Sequence, residues 1–572
     1  MTLATSRPTS LHTLHQHNAA DSAWWRHAVI YQIYPRSFAD ADGNGIGDLA
    51  GARAKLPYLQ ALGVDAVWFS PFYRSPQADA GYDVSDYRDI DPLFGTLTDF
   101  EGLLEDANAL GLKVIVDVVP NHSSDEHPWF QEALAAAPGS PERARYLFRD
   151  GRGANGELPP NNWKSVFGGP GWTRITEADG SPGQWYLHLF DTKQPDFDWD
   201  NPQVRAEFHE VLRFWLDRGV AGFRVDVAHG LVKEPGLPDW SGPQELLAPD
   251  DQEPTAVAPM WDKDGVHEIY AGWRQVLNEY GDPERIMCAE CWVHPPERAA
   301  LYVRPSEFHQ AFNFAFLESP WRATDLRKVI AESLQTCDSV GAPTTWVLSN
   351  HDVIRHATRL ALPIGERRPN GIRASDPQPD AALGLRRARA ASTLMLGLPG
   401  SAYVYQGEEL GLPEATALPD EVREDPVFTR TGGVEVGRDG CRVPLPWAGD
   451  EPGLGFGPTG KTWLPQPESY ADLAADRQLG QPDSTLELYR RLLSQRSERG
   501  LGLGSLAETD EFGPDVVAYL NSGTGQSAET LILLNLGEQA VALPAGAQVV
   551  VASGELTTDG AVPVDTAVWA QL

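Results

Sequence analysis

From Trp24 to about residue 406 the chain alternates eight times between short apolar runs and longer amphipathic stretches, and this limits its fold more than any other feature. The runs, at 29–38, 66–72, 113–120, 221–227, 285–290, 311–316, 344–350 and 401–406, are rich in β-branched and aromatic residues. They are apolar almost throughout instead of at every second position, as strands buried on both faces must be. The stretches between them, such as 50–63, 97–111, 203–219 and 380–397, repeat apolar residues at helical spacing. Gly63 is the expected stop of the first, and Thr98 the expected N-cap of the second. A strand returns parallel to its neighbour only through a crossover of this length. Eight such units predict an α/β protein built on a closed (β/α)₈ TIM barrel.

Two segments break the alternation. Residues 123–199, after the third strand, are rich in Pro, Gly, Trp and Asn and too long for a plain connection, so they are expected to form an inserted subdomain. Residues 407–470, after the eighth strand, are irregular and leave the barrel at the same end. Beyond a helix at 484–500 come the short runs VVAYLN, TLILLNL and AQVVVAS, which predict a C-terminal antiparallel β-sandwich domain. The expected division is a flexible N-terminus over 1–22, a catalytic barrel over 23–122 and 200–500, the inserted domain over 123–199 and the C-terminal domain over 501–572.

With 46 basic against 80 acidic residues the formal net charge is −34, which argues against nucleic acid or an anionic membrane as a partner. Four cysteines (Cys288, Cys291, Cys337 and Cys441) do not make a disulfide framework in 572 residues. Cys288 and Cys291 form a CxxC, but no second pair accompanies it, so buried structural thiols are expected. There is no run of 18 apolar residues and no apolar segment in the first twenty, so the expectation is a cytoplasmic protein without a membrane span.

The chemistry gathers where the strands end. Arg224 and Asp226 are two apart on one strand, so both side chains share a face. An arginine beside a carboxylate favours the anion, which suits a nucleophile. Glu290 ends the apolar run Ile286–Met287–Cys288–Ala289, and apolar surroundings disfavour the anion, which suits a proton donor. Asp352 follows Asn350 and His351 at another strand end, and His122 and Asp117 sit at the end of a third. A barrel delivers residues from several strands to its C-terminal face, where sites of this fold are built.

DVVPNH at 117–122, GFRVDV at 222–227, the Glu290 strand and SNHD at 349–352, in that order and spacing, resemble the four conserved regions of the α-amylase superfamily, glycoside hydrolase family 13. The resemblance implies that Asp226 is the nucleophile, Glu290 the general acid/base and Asp352 the transition-state stabiliser. It places Arg224, His122 and His351 around the sugar at the cleaved bond, with Asp117 supporting them. It also implies a retaining reaction, with the Asp226 and Glu290 carboxyls roughly 5–6 Å apart.

Within the family the chain is similar to the oligo-1,6-glucosidase and α-glucosidase group. ADAGYDVSDY at 78–87 matches that group's pocket motif and places Asp79 and Tyr82 against the terminal glucose. GRDGCRVPLPW at 437–447 matches the segment supplying an arginine to the same subsite, with Arg442 the preferred match and Arg438 the second. A pocket closed in this way implies exo-action on small α-glucosides. On linkage the indicators diverge. Val227, after the nucleophile, is associated with α-1,6 preference; QPDFDW at 194–199 departs from the α-1,6-type QPDLN; and VDVAHGLVKE resembles α-1,4-acting members. The expectation is α-1,4, with α-1,6 and sucrose- or trehalose-directed transfer or isomerisation as alternatives. The loop DADGNGIGD at 40–48 looks like an EF-hand but has Gly51 where the bidentate Glu belongs. It resembles instead a cation loop of the glucosidase group, with Asp40, Asp42, Asn44, the Ile46 carbonyl and Asp48 holding a structural Ca²⁺, Mg²⁺ being the alternative. No organic cofactor is implied, and the assembly is expected to be a monomer or homodimer.

Overall fold

A computed structural model of the chain describes residues 8, 10–18, 22–242, 257–364, 369–525 and 529–572. Eight parallel strands form one sheet: β1 Val29–Ile33, β2 Ala66–Phe69, β3 Lys113–Val118, β4 Gly222–Val225, β5 Ile286–Ala289, β6 Gln310–Ala311, β7 Thr345–Val347 and β8 Ser401–Tyr405. Each pairs with its successor from β1 to β6, β7 pairs with β8, and β8 returns to β1. The one gap, between β6 and β7, is bridged by Phe312 against Thr345 alone, which makes a nearly closed TIM-like barrel. Its interior is filled by Ile30, Trp68, Ile115, Cys288, Phe312 and Tyr403. A larger apolar core lies between the strands and the surrounding helices.

The sixth strand is shorter than expected. Only Gln310–Ala311 pair as β6, and Phe314–Glu318 turn into a helix where the 311–316 run predicts strand. Asn313 decides this by accepting a hydrogen bond from the Phe316 backbone, an N-cap that starts the helix inside an apolar run. The helix after β2 spans Leu97–Ala109 and is capped by Thr96, not Thr98, through a reciprocal capping box with Asp99. The 50–63 stretch is two helices, Leu49–Ala54 and Leu56–Leu62, broken around Lys55 because Pro57 cannot continue the first. Gly63 ends the second at φ 98°, as expected of a left-handed C-terminal position.

The insertion carries a helix, Pro128–Ala135, and a three-stranded antiparallel sheet of Phe148–Arg149, Pro182–Leu187 and Trp172–Thr176. Its two ends meet in the bridge between His122 and Asp196, so the whole excursion leaves and re-enters at one point above β3. The C-terminal region is an antiparallel sheet whose inner face includes Tyr519, Ile532 and Trp569 in the main core. Its outer face is covered by Val541, Leu543 and Val562. Residues 1–7, 9 and 19–21 of the expected flexible N-terminus lie outside the described residues. Within the rest of it the structure corrects the expectation: His12–His15 form the edge strand of the C-terminal sheet, antiparallel to Ser505–Glu508. Leu11 and Leu14 anchor it, each packed against one of the two apolar cores. Among the described residues no helix is long and apolar enough to cross a membrane.

Candidate active site

The register of the parallel ladder sets the site. Arg224 on β4 lies level with Asp117 on β3 and Cys288 on β5. Just past the pairing, the Asp226 backbone N–H bonds the Val118 carbonyl and the Glu290 N–H bonds the Val225 carbonyl. Three neighbouring strands therefore deliver Asp117, Asp226 and Glu290 around one buried guanidinium. Arg224 Nη1 donates to Asp226 Oδ1 at 2.7 Å and to both Asp117 oxygens at 3.0 Å, while Nη2 donates to Glu290 Oε2 at 2.7 Å. The Arg224 guanidinium also lies 5.1 Å from the Trp68 ring centre. Three buried carboxyls share this one cation. Burial pushes Asp117 up to about 7 and Asp226 well above its usual value, with the neighbouring carboxylates adding to the rise.

Glu290 is less apolar in its surroundings than its strand suggests. Besides Arg224 it accepts the Val227 backbone N–H on Oε2 at 3.1 Å and the Trp292 indole N–H on Oε1 at 3.3 Å. Val227 adopts φ 44°, in the left-handed region that a β-branched residue rarely enters. That turn aims its N–H at Glu290, while its side chain packs with Phe190 and Trp261.

On the opposite side, Asp352 is held by two arginines. Burial opposes its charge, but His351 and the guanidiniums of Arg438 and Arg442, both 3.0 Å from Oδ1, outweigh it and hold the carboxyl well below the carboxylate range. At neutral pH the arginines do this, because His351 itself is buried and driven to its neutral form. His351 lies between two parallel rings, Tyr82 at 5.3 Å and Tyr34 at 5.6 Å. Gln32 Nε2 donates to its Nδ1 at 2.7 Å, which leaves the Nε2 proton for the Tyr82 hydroxyl at 2.6 Å. The Tyr82 hydroxyl in turn donates to Asp117, so the ring and the acid cluster are one network. His122, lowered to about 3 by burial, is neutral and donates Nε2–H to the Tyr82 carbonyl at 3.2 Å.

The partner of Asp79 corrects one expectation. Arg438, not the preferred Arg442, reaches Asp79, through Nη2 at 2.9 Å. Arg442 instead bonds the His351 carbonyl and Asp352. The two arginines are four residues apart around a short turn at Asp439–Cys441, and only the fold of that turn decides which one faces Asp79. Two further residues hold this pair. Gln194 donates to Asp79 Oδ2 at 3.1 Å, and the buried Asp425 accepts from Arg438 N, Nε and Nη2. Gln194 opens the QPDFDW segment, so its signal was visible; Asp425 carries none.

The loop at 40–48 brings together three of its five expected ligands. Carboxylate oxygens of Asp40, Asp42 and Asp48 lie within 4.8 Å of one another. None of the three takes part in an ion pair among the described residues. Asp40 and Asp48 are held by backbone N–H groups of Ala41, Gly43, Gly45 and Gly51, and Asp42 by the Asn44 N–H and side-chain amide. Gly43, at φ 81°, turns the chain against Thr459 where no Cβ would fit. Three clustered carboxylates without a cationic side chain are a hard-oxygen donor set suited to Ca²⁺ or Mg²⁺. Asn44 Oδ1 accepts the Ile46 N–H, so Asn44 and Ile46 also face each other within the loop.

Residues 32–501 match the family model for the alpha amylase catalytic domain. The chain belongs to the alpha-amylase family. Its curated relatives include the oligo-1,6-glucosidase of Parageobacillus thermoglucosidasius, 34% identical over 555 residues and 91% of each chain. A probable alpha-glucosidase of Rhizobium meliloti (strain 1021) is 36% identical, over 91% of this chain and 90% of that one. Among solved structures, the alpha-glucosyl transfer enzyme XgtA superposes with a TM-score of 0.81 at 35% identity, over 96% of this chain and 99% of that one. This alpha-amylase family member is a glycosidase.

Proposed function

We propose that the enzyme is a retaining, exo-acting α-glucosidase that releases terminal α-1,4-linked glucose from maltose and short malto-oligosaccharides. The observation that carries this reading is the Asp79–Arg438 ion pair, held by Gln194 and Asp425, which walls off the site beyond the acids. A pocket closed at that end admits one terminal sugar, whereas internal cleavage needs an open groove. Asp226 attacks the anomeric carbon as Glu290 protonates the departing oxygen; water activated by Glu290 then releases glucose from Asp226. Asp226 and Glu290 share one guanidinium, which favours the close spacing of a double displacement over the wider gap that holds a water. Asp352, His351, His122 and Tyr82 grip the sugar. The 40–48 loop holds a structural divalent cation, away from the reacting bond.

Transfer of glucose to a second sugar is expected alongside hydrolysis, a reading favoured by the likeness to XgtA. The test is a panel of maltose, isomaltose, sucrose and trehalose, with products resolved by chromatography and the first-formed anomer read by NMR. Release of α-glucose, fastest from maltose, supports the proposal. β-Glucose as the first product, or chiefly a rearranged disaccharide, overturns it.

A further inference from the structure

The two oxygens of Glu290 are not equivalent. Oε2 accepts from both Arg224 Nη2 and the Val227 N–H, so both of its lone pairs are engaged and it has no room for a proton. The exchangeable proton must therefore sit on Oε1. The side chain that touches Oε1 is Trp292, whose indole N–H points at it from 3.3 Å. Trp292 is held in that pose from behind: it stacks on Phe314 with ring centres 3.6 Å apart and planes within 4°. It also packs in the cluster that includes Val353, the residue after Asp352. Phe314 is available because the sixth strand stops early and turns into a helix.

We propose that Trp292 is a positioning residue for proton transfer, its indole N–H steering the proton-bearing Oε1 of Glu290 toward the leaving group. This rests on the reading of Glu290 as the general acid/base. When Oε1–H protonates the glycosidic oxygen, the C–O bond breaks, its electron pair leaves with that oxygen, and Oε1 becomes the anionic oxygen of a carboxylate. The indole N–H then donates to an anion where it had donated to a neutral acid, so this contact strengthens along the reaction coordinate. In the second half-reaction the same oxygen takes the proton of the attacking water. The other charged or titratable groups around Glu290 are Arg224, Asp226 and Asp117 on the site side, and Cys288 and Cys291 on its own segment. His229 meets only its backbone carbonyl. None of these donates to Oε1.

The test is Trp292→Phe, which keeps the stack and removes the N–H. Loss of a donor to the anion makes Glu290 keep its proton longer, so the alkaline limb of the kcat/KM profile moves up by roughly 0.5–1 pH unit. On maltose, kcat/KM falls about 3- to 10-fold. On p-nitrophenyl α-glucoside, whose leaving group needs no proton, it falls much less. A packing role alone leaves the limb in place and lowers both substrates equally, and that result overturns the proposal. Phe314→Leu, which loosens the stack but leaves the N–H, is expected to shift the limb less than Trp292→Phe; an equal or larger shift also counts against the N–H. Glu290→Gln separates the two levels of inference. If it stays fully active, the acid/base reading itself fails; if it is inactive while the Trp292→Phe limb is unmoved, only the role of Trp292 fails.

Discussion

Asp425 lies outside every motif, yet the Asp79–Arg438 pair leans on it. Its buried carboxylate takes the Arg438 backbone N–H and Nε, each at 2.6 Å, and Nη2 at 3.2 Å. Burial opposes that charge, but Arg438 outweighs it and holds the carboxyl below its ordinary range. Asp425→Asn preserves the shape and removes the charge. The amide oxygen at the Oδ2 position keeps the bonds to Arg438 N–H and Nε; the NH₂ group then faces Arg438 Nη2 and the Val427 N–H, donor against donor. Charge-assisted hydrogen bonds are worth about 1.5–3 kcal/mol each, and stranding one partner of a buried pair costs about 3–5 kcal/mol. Arg438 is not stranded, because Asp79 and Asp352 still hold it, so the expected loss is about 2–3 kcal/mol. The loss falls on the placement of Arg438 against Asp79 and, through Nη1, against Asp352. At about 1.4 kcal/mol per tenfold, KM for maltose rises by roughly 30- to 150-fold, and kcat falls by a smaller factor. Initial rates across a maltose series, with a thermal melt to establish folding, measure this. A folded Asp425→Asn enzyme with wild-type KM would refute the reasoning.

Asp226→Asn is expected to abolish turnover of every glucoside, whereas Glu290→Gln lowers kcat/KM on maltose by about 10²–10⁴-fold and spares activated aryl glucosides more; steady-state kinetics on both substrates check this. Chelation with EDTA is expected to lower Tm by several degrees through lost linkage to the cation, with recovery on adding Ca²⁺, and Asp48→Ala should abolish that response in a melting assay. Burial raises Glu408 to about 8 and Glu414 to about 7. An acid raised in the folded state contributes stability fully present below its unfolded value, near 4.5, and lost as pH rises through the folded one. Tm is therefore expected to decline between pH 7 and 8, where the buried histidines are already neutral in both states, and Glu408→Gln should flatten that decline. A slope unchanged in the variant would remove Glu408 as its cause.

How much of this was legible in the sequence follows the range of the interactions involved. The barrel, the insertion and the acids at strand ends depend on periodicity and on residues that sit next to each other along the chain, so Asp117, Arg224, Asp226, Glu290 and Asp352 stand out from local pattern alone. Register then follows, because parallel pairing sets Arg224 level with Asp117. The helix start at Thr96 and the early end of β6 depended on local capping bonds, by Thr96 with Asp99 and by Asn313, that the apolar pattern does not register. The edge strand His12–His15 pairs with a partner nearly five hundred residues away, beyond any local signal.

The sequence alone marked the candidate acids and determined the kind of scaffold that carries them. Only the tertiary structure decided which arginine meets Asp79. Arg438 and Arg442 are the same residue type on the same short turn, and nothing in their local sequence ranks them. The difference is that the turn points one guanidinium at Asp79, 359 positions earlier in the chain, and the other at the His351 carbonyl. Direction is a property of the folded backbone, and so is the placement of Asp425 against Arg438 and of Phe314 behind Trp292, groups they do not adjoin in sequence.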